Sequence, residues 1–141
     1  MSRSIKNIIS VVVGLFAGGT LNMVILGING TLIPLPPGAD VSSPEGLAQS
    51  ILLFEPVHFL APFLAHAVGT LVAAWVATRF ASAPNLFLSM IPGILFFLAG
   101  TYMAVDLKAP LWFEALDLTC AYIPMAWIGY TIGSMGRKKP S

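Results

Sequence analysis

The run Leu86–Val105, LFLSMIPGILFFLAGTYMAV, carries no charged side chain from end to end. A helix rising ~1.5 Å per residue makes a run of this length about 30 Å long, the thickness of the hydrocarbon core of a bilayer. Three other stretches read the same way: about Ile8–Ile28, Val57–Thr78 and Leu111–Gly133. Backbone groups in lipid must be satisfied within the chain, so each stretch is predicted to be a helix. The absence of period-two alternation excludes a membrane barrel. The expected fold is all-α: an integral membrane four-helix bundle forming one transmembrane domain over residues 1–141. Its spans lie at about 8–28, 57–78, 86–105 and 111–133, with a long outer loop at 29–55.

Composition agrees. Hydrophobic residues make up 57% of the chain and charged residues 9%, against about 25% charge in soluble domains. So few charges cannot keep a small globule's surface wet, and lipid is the natural solvent. A net charge of +1 leaves no basic face for nucleic acid. The single cysteine, Cys120, excludes an intrachain disulfide and reads as a small packing residue. Arg3 and Lys6 precede the first apolar run as in a signal peptide. That run is too long for a signal core and closes on no small-x-small site, so a retained helix is expected.

Charge also predicts direction. Arg3, Lys6, Arg79, Arg137, Lys138 and Lys139 fall on one side of an even number of spans, and Lys108 alone falls opposite. The positive-inside rule makes the crowded side, with both termini, cytoplasmic. Trp75, Trp127 and Tyr130 suit the inner interface, and Tyr102 and Trp112 the outer one. All six acids lie outside the midplane: Asp40, Glu45 and Asp106 in loops, Glu55, Glu114 and Asp117 in the outer parts of spans two and four. A multi-pass protein of the cell membrane, the bacterial inner membrane in particular, is the expected setting.

The loop 29–55 is long for a compact domain, and loops of that length are commonly functional or disordered. Within it, Ser43-Pro44-Glu45 reads as an N-cap, a first-turn proline and an early acid. A short interfacial helix from Pro44 to about Phe54 is expected to cap the bundle. Asn29-Gly30-Thr31 matches a glycosylation sequon. Small residues recur every four positions in each span: Gly14-x-x-x-Gly18, Gly69-x-x-x-Ala73-x-x-x-Ala77, Ser89-x-x-x-Gly93 and Gly129-x-x-x-Gly133. Such faces let helix backbones approach closely. They suit a compact bundle and equally a homo-oligomer or a membrane-protein partner. Pro62, Pro92 and Pro124 fall inside spans, where each removes a donor and bends its helix.

Ionisable groups within a span cost roughly 2.5–3.5 kcal/mol at the helix centre, so their presence points to a use. Glu55, His58, Pro62 and His66 share one stripe of the second span, and Glu114 and Asp117 share a face of the fourth. An outward-facing cluster of Asn22, His58, His66, Glu114 and Asp117 is the candidate polar or ion site. Three chemistries fit it. Asp117 bonded to His66, Asn22 or Thr119 would be structural; histidine beside carboxylates would handle a proton or cation; and His58, His66 and Asp117 would hold a divalent metal. No nucleophile motif, phosphate loop or cofactor signature is present, and no cofactor is expected.

The segment Leu53-Phe54-Glu55-Pro56-Val57-His58-Phe59, continuing through Pro62 to His66, Gly69, Thr70 and Leu71, resembles segments of small uncharacterised bacterial membrane proteins. So does Asp117 with Ala121-Tyr122-Ile123-Pro124-Met125. The resemblance implies a four-helix integral membrane protein and carries no activity with it. The first span lacks the glutamate of small multidrug-resistance transporters, and the Thr-Thr-Phe-Ser motif of small fluoride channels is absent. The leading expectation is conduction or transport of an ion or small solute through an outward-facing polar pocket. The alternative is a non-transporting subunit of a membrane complex.

Overall fold

The computed structural model describes residues 2–137, and every regular element among them is helical. Lys138 and Lys139, two of the basic residues counted above, lie outside the described residues.

Helix α1 (Arg3–Leu32) starts where the Ser2 hydroxyl accepts the Ile5 N–H. Its 30 residues make it about 45 Å long, well over the thickness of a bilayer core. Pro34 ends it by forcing the preceding Ile33 into extended backbone, at φ −125° and ψ 100°. The sequon Asn29-Gly30-Thr31 therefore lies in the last turns of a helix. In the loop, Ser43 caps the expected short helix α2 (Pro44–Ser50), which tightens into a 3-10 turn at Ile51–Leu53. The Asp40 N–H donates to the Ser50 hydroxyl at 2.7 Å, and that hydroxyl donates back to the Asp40 carbonyl at 3.1 Å. These bonds tie the loop onto α2.

The second span departs from the expected single helix. Pro56–Phe59 is a 3-10 turn, and helix α3 (Leu60–Phe80) begins after it. Pro62 consequently falls in the first turn of α3, where its missing N–H costs no intrahelical bond. Helix α4 (Leu86–Leu107) is capped by Asn85, runs through Pro92 and stops at Lys108, whose φ of 51° is left-handed.

The fourth span is broken. Helix α5 (Leu111–Cys120) ends, Ala121 and Tyr122 intervene, and helix α6 (Ile123–Ser134) starts anew. Pro124 accounts for the break, because it lacks the N–H that would bond the Cys120 carbonyl and its ring crowds that oxygen. At the start of a fresh helix the same proline is favourable. Among the described residues three segments are thus long and apolar enough to cross a membrane: Arg3–Leu32, Pro56–Phe80 and Leu86–Leu107. The fourth stretch is divided into helices of 10 and 12 residues.

Helix α3 sits at the centre, packed against α1, α6 and α4. The interior is small: Ala65, Ala73, Ala74 and Ala77 are fully buried, while Phe16, Phe87 and Tyr102 are more than two-thirds exposed. This is the arrangement of helices dissolved in lipid, where backbones meet at small residues and large apolar side chains face the solvent. Gly14 and Gly18 of α1 meet Ala73 and Gly69 of α3, Gly93 of α4 meets Ala126, and Gly129 and Gly133 of α6 meet Leu71 and Thr78. A Cβ on Gly133 would lie 2.8 Å from that of Thr78. The small-residue faces are therefore used within the chain.

Much of this contact lies toward one end, which also holds Arg3, Lys6, Arg79 and Arg137. There Thr78 and Ser89 share a hydrogen bond of 2.6 Å, and the Ser82 N–H donates to Asn7 Oδ1 at 2.9 Å. The Arg137 guanidinium donates to the carbonyls of Thr78 and Ala81. The opposite, acidic end is packed by larger groups, with Ile51, Phe59 and Phe113 forming a buried cluster under the loop.

Candidate functional site

Toward the acidic end the helices diverge. Helices α1 and α4 scarcely touch, and a cavity of about 770 Å³ opens between them, backed by α3 and α5 and roofed by the loop. All five residues singled out in the sequence, Asn22, His58, His66, Glu114 and Asp117, line it. They share a cavity without forming one bonded cluster.

The bonded core is His66, Asp117 and Tyr122. His66 Nδ1 lies 2.9 Å from both carboxylate oxygens of Asp117, and the Tyr122 hydroxyl donates to Oδ2 at 2.9 Å. Asp117 is 5% and Tyr122 2% exposed, whereas the His66 side chain is 29% exposed. The Tyr122 ring stacks on the imidazole, with centroids 5.6 Å apart. A carboxylate accepts only, so His66 directs an Nδ1–H at Asp117, and its Nε2 has no hydrogen-bond partner among the described residues. A buried carboxylate orienting an imidazole in this way prepares the far nitrogen to take a proton.

The helix break creates this geometry. On an unbroken helix, positions 117 and 122 would stand about 140° apart and share no partner. Ending α5 at Cys120 and restarting at Ile123 turns Tyr122 back over Asp117. Gly100 on α4 makes room, since a Cβ there would run into the phenol. Tyr122 was missed as a site residue because its reach depends on the break, and Pro124 is the only sign of that break in the sequence.

The other expected members behave differently. His58 accepts the Glu55 N–H on Nδ1 at 3.0 Å, and its Nε2 donates to the Pro34 carbonyl at 3.2 Å. Both ring nitrogens are spent clamping the chain entering α3 to the loop after α1. The proposed metal set of His58, His66 and Asp117 does not assemble, and no group of three His, Cys, Asp or Glu with metal-binding geometry occurs among the described residues. Thr119 bonds the Ala115 carbonyl at 2.6 Å and faces outward, away from Asp117. Asn22 packs on Gly69, and its Oδ1 is buried with no partner. Glu114 has no side-chain partner among the described residues.

Thr70 is a further lining residue that sequence reasoning overlooked. It is fully buried, and its hydroxyl has no partner. Threonine is common in membrane helices, and nothing in its spacing separated it from a packing residue. Comparison with known proteins finds no matching family, no matching curated protein and no matching solved structure.

Proposed function

We propose that α1, the segment Pro56–Phe80, α4 and the α5–α6 pair cross a cell membrane as four passes, with the basic end cytoplasmic. The cavity then opens toward the outer side and takes up a small solute, which is transported with a proton handled at His66. Four described basic residues gathered at one end support this direction. The combined length of the broken span also suits a full crossing.

The observation that carries the functional reading is the contact of His66 with Asp117 on the wall of a cavity deep in apolar chain. Ionisable groups at such depth are expensive and are kept for use. Neutral His66 accepts a proton from the cavity on Nε2. The resulting imidazolium is stabilised by Asp117, whose second oxygen Tyr122 holds in place. Proteoliposomes test the reading. Wild-type protein should carry proton-coupled solute flux, and Asp117→Asn should reduce it at least tenfold; flux no greater than in empty vesicles, across candidate ions and solutes, refutes it.

One observation favours the second reading, a membrane subunit that binds without transporting. Below Thr70 the helices approach backbone to backbone at Gly14, Gly129 and Gly133. Under that reading native-membrane crosslinking captures a stoichiometric partner, and Asp117→Asn changes binding alone.

A further inference from the structure

The cavity carries a few polar groups on an otherwise apolar wall. The His66 Nδ1–H and the Tyr122 hydroxyl are engaged by Asp117, and the His58 Nε2–H by the Pro34 carbonyl. Among the described residues the buried Asn22 Oδ1, Asn29 Oδ1 and Thr70 hydroxyl have no partner and line the same cavity as the Glu114 carboxylate; the two amides and the hydroxyl donate as well as accept, whereas the carboxylate only accepts. Charge is unbalanced, because two carboxylates line the cavity and, among the described residues, no lysine or arginine does. Asp117 is already paired with His66 and Tyr122, which leaves the half-buried Glu114 as the carboxylate without a partner among the described residues.

Size and walls narrow the partner further. A cavity of about 770 Å³ suits an organic molecule, within the roughly 300–1,000 Å³ of small-ligand sites. A bare metal ion would leave most of it empty. Its lining is largely apolar and includes Phe54, Phe59, Phe96 and Phe113, whose ring faces attract organic cations. Resting on the reading of this cavity as a solute site, we propose that it binds a protonated amine with an apolar body. The ammonium pairs with the Glu114 carboxylate, Asn22 and Thr70 supply further hydrogen-bonding groups deeper in the cavity, and the apolar body lies against the phenylalanines.

The test uses the full-length protein in nanodiscs at neutral pH, titrated calorimetrically with benzylammonium, 2-phenylethylammonium and hexylammonium, with empty nanodiscs subtracted. The comparison ligands are 2-phenylethanol and 3-phenylpropanoate. At least one amine should bind roughly tenfold or more tightly than the alcohol, and the carboxylate should not bind. Glu114→Gln should weaken the amine about tenfold without lowering the unfolding midpoint, because it removes the charge and keeps the shape. Thr70→Val should weaken it by a smaller factor. The inference is overturned if no amine binds, if the alcohol or carboxylate binds as well, or if Glu114→Gln has no effect on affinity. Amine binding without flux in proteoliposomes upholds it and refutes transport; proton-coupled flux of another solute without amine binding overturns it and leaves transport standing.

Discussion

Replacing Tyr122 by phenylalanine isolates the bond that joins the two halves of the broken span. The phenol donates to Asp117 Oδ2 at 2.9 Å between residues that are 2% and 5% exposed. Hydrogen bonds to charged groups contribute about 1.5–3 kcal/mol in soluble proteins. Interhelical polar contacts in bilayers average about 0.6 and reach about 1.7 kcal/mol, because an unfolded chain in lipid also finds partners. Burial and a charged acceptor place this bond toward the upper membrane value, so a loss of about 1.5 kcal/mol is expected. The ring remains to stack on His66, so the substitution removes little packing. The assay is equilibrium unfolding of wild type, Tyr122→Phe, Asp117→Asn and the double variant in one detergent mixture. A coupling energy of about 1–1.5 kcal/mol is expected from the double-mutant cycle. Coupling below about 0.3 kcal/mol, the usual scatter for independent sites, would show that the hydroxyl and the carboxylate do not work as a pair.

Gly100→Ala should reproduce much of this loss, because the new methyl displaces the phenol from Asp117. Its cost of about 1–3 kcal/mol should shrink in a Tyr122→Phe background, and full additivity in the same unfolding assay would count against the contact. Nitrogen-15 NMR of labelled histidine should show the two rings as opposite tautomers, His66 protonated on Nδ1 and His58 on Nε2. Two identical neutral tautomers would contradict these bonds. Asp40 supplies a pH test outside the spans. The Ser42 hydroxyl, and secondarily its N–H, donate to Asp40 and hold its carboxyl below the ordinary 3.8. A depressed value in the folded state means that the stabilisation is complete above about pH 3.8 and fades as the pH falls through the folded value. Amide exchange at Ser42 should therefore accelerate, relative to neighbouring amides and the intrinsic rate, only below that pH.

The three segments long and apolar enough to cross a membrane were legible because their hydrophobic runs announce themselves by length and composition alone. The start of α2 was legible as well, since Ser43, Pro44 and Glu45 each act locally. What escaped depends on contacts distant in sequence. His58 reads as one of a helical stripe with His66, but the 3-10 turn at Pro56–Phe59 breaks the phase and Pro34 claims the ring. Tyr122 carries no signal of its own in the sequence, because only the break at Ala121 turns it onto Asp117. The pairing of His66 with Asp117 was among the sequence alternatives, whereas choosing it over Asn22 or Thr119 required the packing of α5 on α3.

The glycine and alanine contacts near the basic end also bear on how such a protein changes over generations. There the spacing of helices is a property of the backbone, so nearly any replacement moves whole helices at once. Around the cavity, spacing is set by large side chains such as Phe54, Phe96 and Phe113, which can be exchanged singly without disturbing that contact. The chain thus separates a backbone-packed end, where one substitution shifts helices, from a chamber whose walls can be altered one side chain at a time.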